Sequence, residues 1–159
     1  SDLNPMNMRK LYEVNTIGPA MIAKYFIPLL DSTEKSVFAV LSARVGSIKD
    51  NSLGGWTSYR ASKAALNMLI KTISIETART IPNAIIVGLH PGTVDTNLSK
   101  PFQKNISKEK LFSPNYTVEK LLSVINNLEA KDSGGFFAWE GKHIDYEQRE
   151  TLLVTKTKR

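Results

Sequence analysis

Apolar residues at Met8, Leu11, Val14, Ile17, Met21, Ile22, Tyr25, Phe26 and Leu29 advance in steps of three and four, which predicts a helix over 8–30. Pro19 has no N–H for the helical ladder, so a kink is expected near Gly18-Pro19. Ser36 to Ser42 (SVFAVLS) is a short, β-branched apolar run of the kind that forms a strand buried on both faces. Residues 43–57 are rich in Gly, Ser and Asn and read as loop. Helical spacing returns through Ala61, Ala65, Met68, Leu69, Thr72, Ile73 and Ile75, predicting a helix over 58–80 that Pro82-Asn83 ends. Ala84 to His90 (AIIVGLH) is a second buried-strand run, closed by Pro91-Gly92. Thr93 to Pro114 is polar and irregular, long enough for a lid or a small insertion. A third helix over 117–128 carries Val118, Leu121, Leu122, Val124, Ile125 and Leu128 as its stripe, and Phe136 to Trp139 reads as a third strand. Strands separated by helices predict an α/β fold with a parallel sheet.

Composition narrows the chemistry. The 159 residues make one ordinary domain, 42% hydrophobic and 23% charged. With no cysteine, disulfides, thiolate metal sites and thiol nucleophiles are excluded, and two histidines are too few for a histidine cage. No apolar run approaches the ~18–20 residues that cross a bilayer, and Ser1 to Pro5 lacks the pattern of a secretory signal. A cytoplasmic location without a membrane partner is the expectation. The net charge of +6 is dispersed over solvated faces and a basic end, without a reader helix or stacking aromatics, so no nucleic-acid partner is expected.

Tyr59-Arg-Ala-Ser-Lys63 puts a phenol and an ammonium four apart, on one helix face. A cation beside a tyrosine favours its phenolate, which would suit proton transfer near neutrality. Spacing alone is weak: among five tyrosines and fifteen lysines, Tyr116 and Lys120 repeat it at the head of another helix without evident purpose. Context separates the two pairs. The first strand ends in Leu41-Ser-Ala-Arg-Val-Gly-Ser47, the loop returns to Tyr59, and the next strand ends in Pro91-Gly-Thr-Val-Asp-Thr96. Both constellations meet at the C-terminal edge of the sheet, where open α/β sheets bind ligands. Asn15, a polar residue within an apolar helix near the expected kink, also requires a reason.

In V-N-T-I-G-P, L-S-A-R-V-G-S, Y-R-A-S-K-A-A-L-N, H-P-G-T-V-D-T and the closing S-G-G-F-F-A-W-E-G, the chain resembles the short-chain dehydrogenase/reductase family over nearly all of residues 8–146, and most closely its C-factor-like branch. The resemblance implies an NAD(P)-dependent oxidoreductase acting on a small-molecule carbonyl or alcohol by hydride transfer. It gives Tyr59 the proton transfer, Lys63 the lowering of the Tyr59 pKa and the hold on the nicotinamide ribose, and Asn15 a relay water. Pro91, Gly92, Thr93, Val94 and Thr96 would cradle the nicotinamide, with the Val94 backbone at its carboxamide. One departure is serious. The family serine that binds the substrate oxygen lies three residues before the loop glycine, and counting back from Gly46 gives Ala43. Ser47 and then Ser42 are the nearest substitutes, although alternation turns Ser42 to the other side of the strand. His90 and the two tryptophans, Trp56 and Trp139, read as packing residues, and Asp95 and Glu76 as isolated carboxylates.

No G-x-G-x-x-G or phosphate-binding loop follows a first strand, because the first element is a helix. The expectation is therefore a partial Rossmann-like, doubly wound sheet: residues 1–146 as the C-terminal part of one NAD(P)-binding domain, and 147–159 as a polar, basic tail. NAD and NADP are not distinguishable without the selector after a second strand. Such a chain is expected to bind dinucleotide weakly and to be inactive alone. A homodimer through the 8–30 and 58–80 helices is implied by the resemblance. The competing reading is a non-catalytic nucleotide-binding or signalling module, which Ala43 favours.

Overall fold

The computed structural model describes residues 3–100, 103 and 107–146. Helix α1 (Pro5–Tyr12) starts where Asn4 accepts hydrogen bonds from the Met6 and Asn7 N–H groups at 2.9 and 3.3 Å. A π-helical turn, Glu13–Ile17, joins it to α2 (Gly18–Phe26). The expected irregularity is thus a widened turn that ends at Gly18-Pro19. The Gly18 N–H reaches back five residues to the Glu13 carbonyl, and Pro19 has no N–H for the carbonyl of Asn15.

Strands β1 (Ser36–Leu41), β2 (Ala84–His90) and β5 (Phe136–Ala138) form one parallel sheet in the order β1-β2-β5. Its register runs from Ser36 opposite Ala84 to Leu41 opposite Leu89, then from Gly88 opposite Phe136 to His90 opposite Ala138. Helix α3 (Thr57–Thr77) follows β1, and α4 (Pro114–Asn127) precedes β5. The fold is the expected α/β, partial Rossmann-like sheet. Alternation along β2 divides the core. Ile85, Val87 and Leu89 pack with Val124 and Leu128 of α4 and its exit and with Phe137, while Ile86 packs with Leu66 and Ile70 of α3 and Ala23 and Ile27 at the end of α2. Both faces of β2 are covered, as its unbroken apolar run requires.

The segment expected to be wholly irregular contains a second, two-stranded parallel pair, β3 (Thr93–Val94) with β4 (Leu111–Phe112). Phe112 packs against Trp139 and Tyr116, with ring centroids 4.6 and 5.1 Å away. This cluster ties the return of the excursion to the end of β5. Gly92, at φ 76°, closes the turn beneath it; a Cβ there would lie 2.6 Å from the Phe112 ring. Helix α4 begins three residues before the expected position, where the Ser113 hydroxyl accepts the Tyr116 N–H at 3.2 Å and Pro114 takes the first helical place. The tail at 147–159 lies outside the described residues.

Candidate active site

The C-terminal ends of β1 and β2 and the first two turns of α3 meet at one edge. Tyr59 and Lys63 lie one turn apart on α3, and the Lys63 Nζ sits 5.9 Å from the centroid of the Tyr59 ring. Lys63 is 8% exposed, an unusual state for a lysine. Its ammonium donates to the Leu41 carbonyl at 3.0 Å, tying α3 to the last residue of β1. Burial holds the Lys63 ammonium below the usual lysine range. Burial also raises the Tyr59 phenol above its ordinary value. That differs from the expectation that Lys63 lowers it. The ammonium is directed at a backbone carbonyl and stands over the ring, so desolvation governs the phenol. Tyr116 and Lys120 reproduce the geometry at 5.5 Å, but on an exposed face.

Asn15 lies within the π turn and donates from Nδ2 to the Ser62 Oγ at 3.1 Å. The next residue, Thr16, donates to the Ser62 carbonyl at 2.9 Å. Asn15 and Thr16 therefore fasten the first helix to the residue preceding Lys63. This accounts for a polar pair on an otherwise apolar stripe.

The two serines have their hydroxyls committed elsewhere. Ser42, 4% exposed, donates to Asn67 Oδ1 at 2.6 Å, on the face opposite Ala43 as strand alternation requires. Ser47, 1% exposed, donates to the Asp145 carbonyl at 2.5 Å and accepts the Asp50 N–H at 3.2 Å. A hydroxyl has one hydrogen to give. In this arrangement the Ser42 and Ser47 hydroxyls are engaged with Asn67 Oδ1 and the Asp145 carbonyl. Ser47 is part of a staple: the Ile48 N–H donates to the Tyr146 carbonyl at 3.0 Å, and Lys49 pairs with the Asp145 carboxylate. Sequence reasoning missed Asp145 and Tyr146, because nothing local marks a partner 98 residues away.

Pro91 to Thr96 continues from the end of β2. Val94 pairs with Phe112 across the small sheet, and its carbonyl accepts from the Ser99 hydroxyl at 2.5 Å and from Thr96 Oγ1 at 3.5 Å. His90 is half-buried, with its Nδ1 out of contact with solvent and without a protein hydrogen-bond partner. Desolvation, reinforced by the Arg44 charge and opposed by Asp50 and Glu140, pushes its pKa down to about 4. Trp139 packs as expected. Trp56 is half-exposed, beneath the Arg60 guanidinium at 5.9 Å. Among the described residues no group of His, Asp or Glu is arranged to hold a metal, and no helix is long and apolar enough to cross a membrane.

The model of the short chain dehydrogenase family matches residues 1–107, a span that contains Asn15, Tyr59, Lys63 and the Pro91–Thr96 edge. This chain belongs to the short-chain dehydrogenase family. The C-signal protein of Myxococcus xanthus is 31% identical over 146 residues, which cover 91% of this chain and 82% of that protein. A 1-hydroxy-2-glutathionyl-2-methyl-3-butene dehydrogenase of Rhodococcus sp. (strain AD45) is 32% identical over 139 residues, 87% of this chain and 58% of the relative. Among solved structures, an NADPH-bound carbonyl reductase from chicken fatty liver superposes with a TM-score of 0.77 at 32% identity, covering 89% of this chain and 58% of that one. Carbonyl reductase Sniffer of D. melanogaster gives a TM-score of 0.78 at 26% identity, covering 90% and 58%. The chain thus spans little more than half the length of several of the proteins it resembles.

Proposed function

We propose that this chain carries the proton-transfer end of an NAD(P)-dependent oxidoreductase site that interconverts a small carbonyl compound and its alcohol. The observation that carries this reading is the half-buried Tyr59 beside a buried Lys63 at the C-terminal edge of β1. Reductases among the chain's structural relatives support both the reaction class and the nicotinamide cofactor. The residues fit the ribose and nicotinamide end of such a cofactor. The Lys63 ammonium uses one donor on Leu41 and retains others for ribose hydroxyls, and the Pro91, Gly92, Thr93, Val94 and Thr96 edge offers backbone polar groups for a carboxamide. No G-x-G-x-x-G turn of the kind that holds a pyrophosphate occurs among the described residues.

A reduced nicotinamide supplies the hydride for such a reaction when bound. Tyr59 gives its phenolic proton to the carbonyl oxygen as negative charge develops there. A raised pKa keeps the phenol protonated and ready to donate, and the nearby Lys63 ammonium limits the cost of the phenolate that remains. Asn15, fixed to Ser62 beside Lys63, holds the water through which the phenol is reprotonated. Turnover of a panel of aldehydes and ketones with NADH and NADPH, measured on the full-length protein, tests the reading: Tyr59→Phe abolishes it, and an unchanged rate removes Tyr59 from the reaction.

Ala43 and the commitment of both serines favour a second reading, a cofactor-binding module without catalysis. A hydroxyl lost from an oxyanion site costs ~10²–10³ in rate. Cofactor binding without turnover, with turnover appearing in Ala43→Ser, would select this second reading.

A further inference from the structure

The approach to Tyr59 is conformationally costly. Gly54, Gly55 and Trp56 occupy the left-handed region in succession, at φ 64, 72 and 47°, immediately before α3. Two glycines take this conformation freely, but a tryptophan does not, because its Cβ crowds the following carbonyl oxygen. Trp56 is the one non-glycine residue with positive φ among those described. Such strain persists only where the surroundings over-determine it, and here Arg60 does so.

The Arg60 side chain bonds to both ends of the loop between β1 and α3. Its Nε donates to the Gly55 carbonyl at 2.9 Å and its Nη2 to the Gly54 carbonyl at 3.0 Å. Its Nη1 donates to the Val45 carbonyl at 3.3 Å. The guanidinium also covers the Trp56 indole, and the Arg60 N–H closes the first helical bond on the Trp56 carbonyl at 2.8 Å. The planar fork of a guanidinium can meet several carbonyls in fixed directions, whereas a lysine ammonium is a point charge on a flexible stem. A solvated arginine at this helical position would need none of these contacts.

We infer that Arg60 is a positioning residue for the site proposed above: by locking the left-handed Gly54–Gly55–Trp56 turn and the start of the loop to α3, it fixes where the Tyr59 phenol stands at the sheet edge. It touches no substrate and acts through the first turn of α3. The inference rests on the Tyr59 reading for its meaning, but its test does not depend on turnover.

Arg60→Lys and Arg60→Ala are compared with the unaltered chain by amide hydrogen exchange and by ultraviolet titration of Tyr59, isolated as the difference from Tyr59→Phe in each background. Both variants are expected to speed exchange over 54–59 at least tenfold while Ala84–His90 keeps its protection, and to move the Tyr59 titration down toward the ordinary tyrosine value as water reaches the ring. Added guanidinium ion should restore both readouts in Arg60→Ala and leave Arg60→Lys unimproved. Unchanged exchange at 54–59, or faster exchange with an unmoved Tyr59 titration, overturns the inference. General loss of protection through β2 also overturns it, by making Arg60 a determinant of the whole fold. Failure of Tyr59→Phe to affect turnover would remove the redox reading and leave these two measurements standing.

Discussion

His90 should make this protein lose stability in mild acid. Its imidazole lies at the end of β2, on the face that carries Ile86 toward α3, with Arg44, Asp50 and Glu140 as the charges that act on it. In the folded chain its pKa is pushed to about 4, against 6.5 for a free histidine. The unfolded chain therefore takes up a proton on this residue between those values while the folded chain does not, so stability is complete above pH 6.5 and falls as pH drops toward 4. At 1.36 kcal/mol per unit, the full loss is about 3 kcal/mol, of which roughly 2 kcal/mol is lost by pH 5. Glu129, held low by Lys131, enters only at the acid end of this window, and the test at pH 5 lies above it. The lowered Asp145 contributes below about pH 4, and the shifted Lys63 and Tyr59 act in the alkaline range. Urea unfolding at pH 7.5 and pH 5, in a His143→Gln background that removes the other histidine, isolates the effect. The midpoint should fall by about 1 M, for a slope of 1–3 kcal/mol per molar urea. In His90→Gln that fall should largely disappear. Equal falls with and without His90 would refute the reasoning.

Other positions carry equally direct expectations. Gly46→Ala sets a Cβ 2.8 Å from the Lys63 carbonyl carbon and Cβ, where backbone cannot yield, and should cost ~1–3 kcal/mol by chemical denaturation. Ser47→Ala removes the part-buried contacts of this hydroxyl with the Asp50 N–H and the Asp145 carbonyl; a loss of ~0.5–1.5 kcal/mol and faster exchange at Ile48 and Asp50 are expected, and wild-type exchange would count against the staple. Met21, Tyr25, Met68 and Ile75 are 47, 64, 66 and 50% exposed, and a two-fold homodimer covering them should sediment as a dimer at micromolar concentration and dissociate on Tyr25→Glu with Met68→Glu.

The three strands of the main sheet are legible because each is a continuous apolar run; β2 and β5 are buried, whereas β1, expected to be buried on both faces, is half-buried to exposed. Strands β3 and β4 are not legible: two residues carry no period, and their pairing depends on the aromatic cluster of Phe112, Tyr116 and Trp139 rather than on Thr93 and Val94. Pro19 announces an irregular turn, but its π form depends on the contacts of Asn15 and Thr16 with Ser62, which lie 47 and 46 residues away. Tyr59 and Lys63 are legible from motif and context together. The direction of the Tyr59 shift is not, since it follows from burial. Arg60 escapes notice because an arginine near a helix start ordinarily points to water.

The staple between the 47–49 loop and Asp145–Tyr146 bears on the order in which the molecule is made. Closing a contact 98 residues apart costs about 2 kcal/mol more in chain entropy than closing one of ten residues, since the cost grows with the logarithm of loop length. Long-range contacts of this kind are slow and are acquired after local helices. During synthesis, α3 and Tyr59 emerge long before the residues that hold Ser47 in place. The loop beside the phenol is therefore unfinished until almost the whole described chain has been released, and a chain cut before Asp145 should keep its central strands while leaving this loop without its anchor.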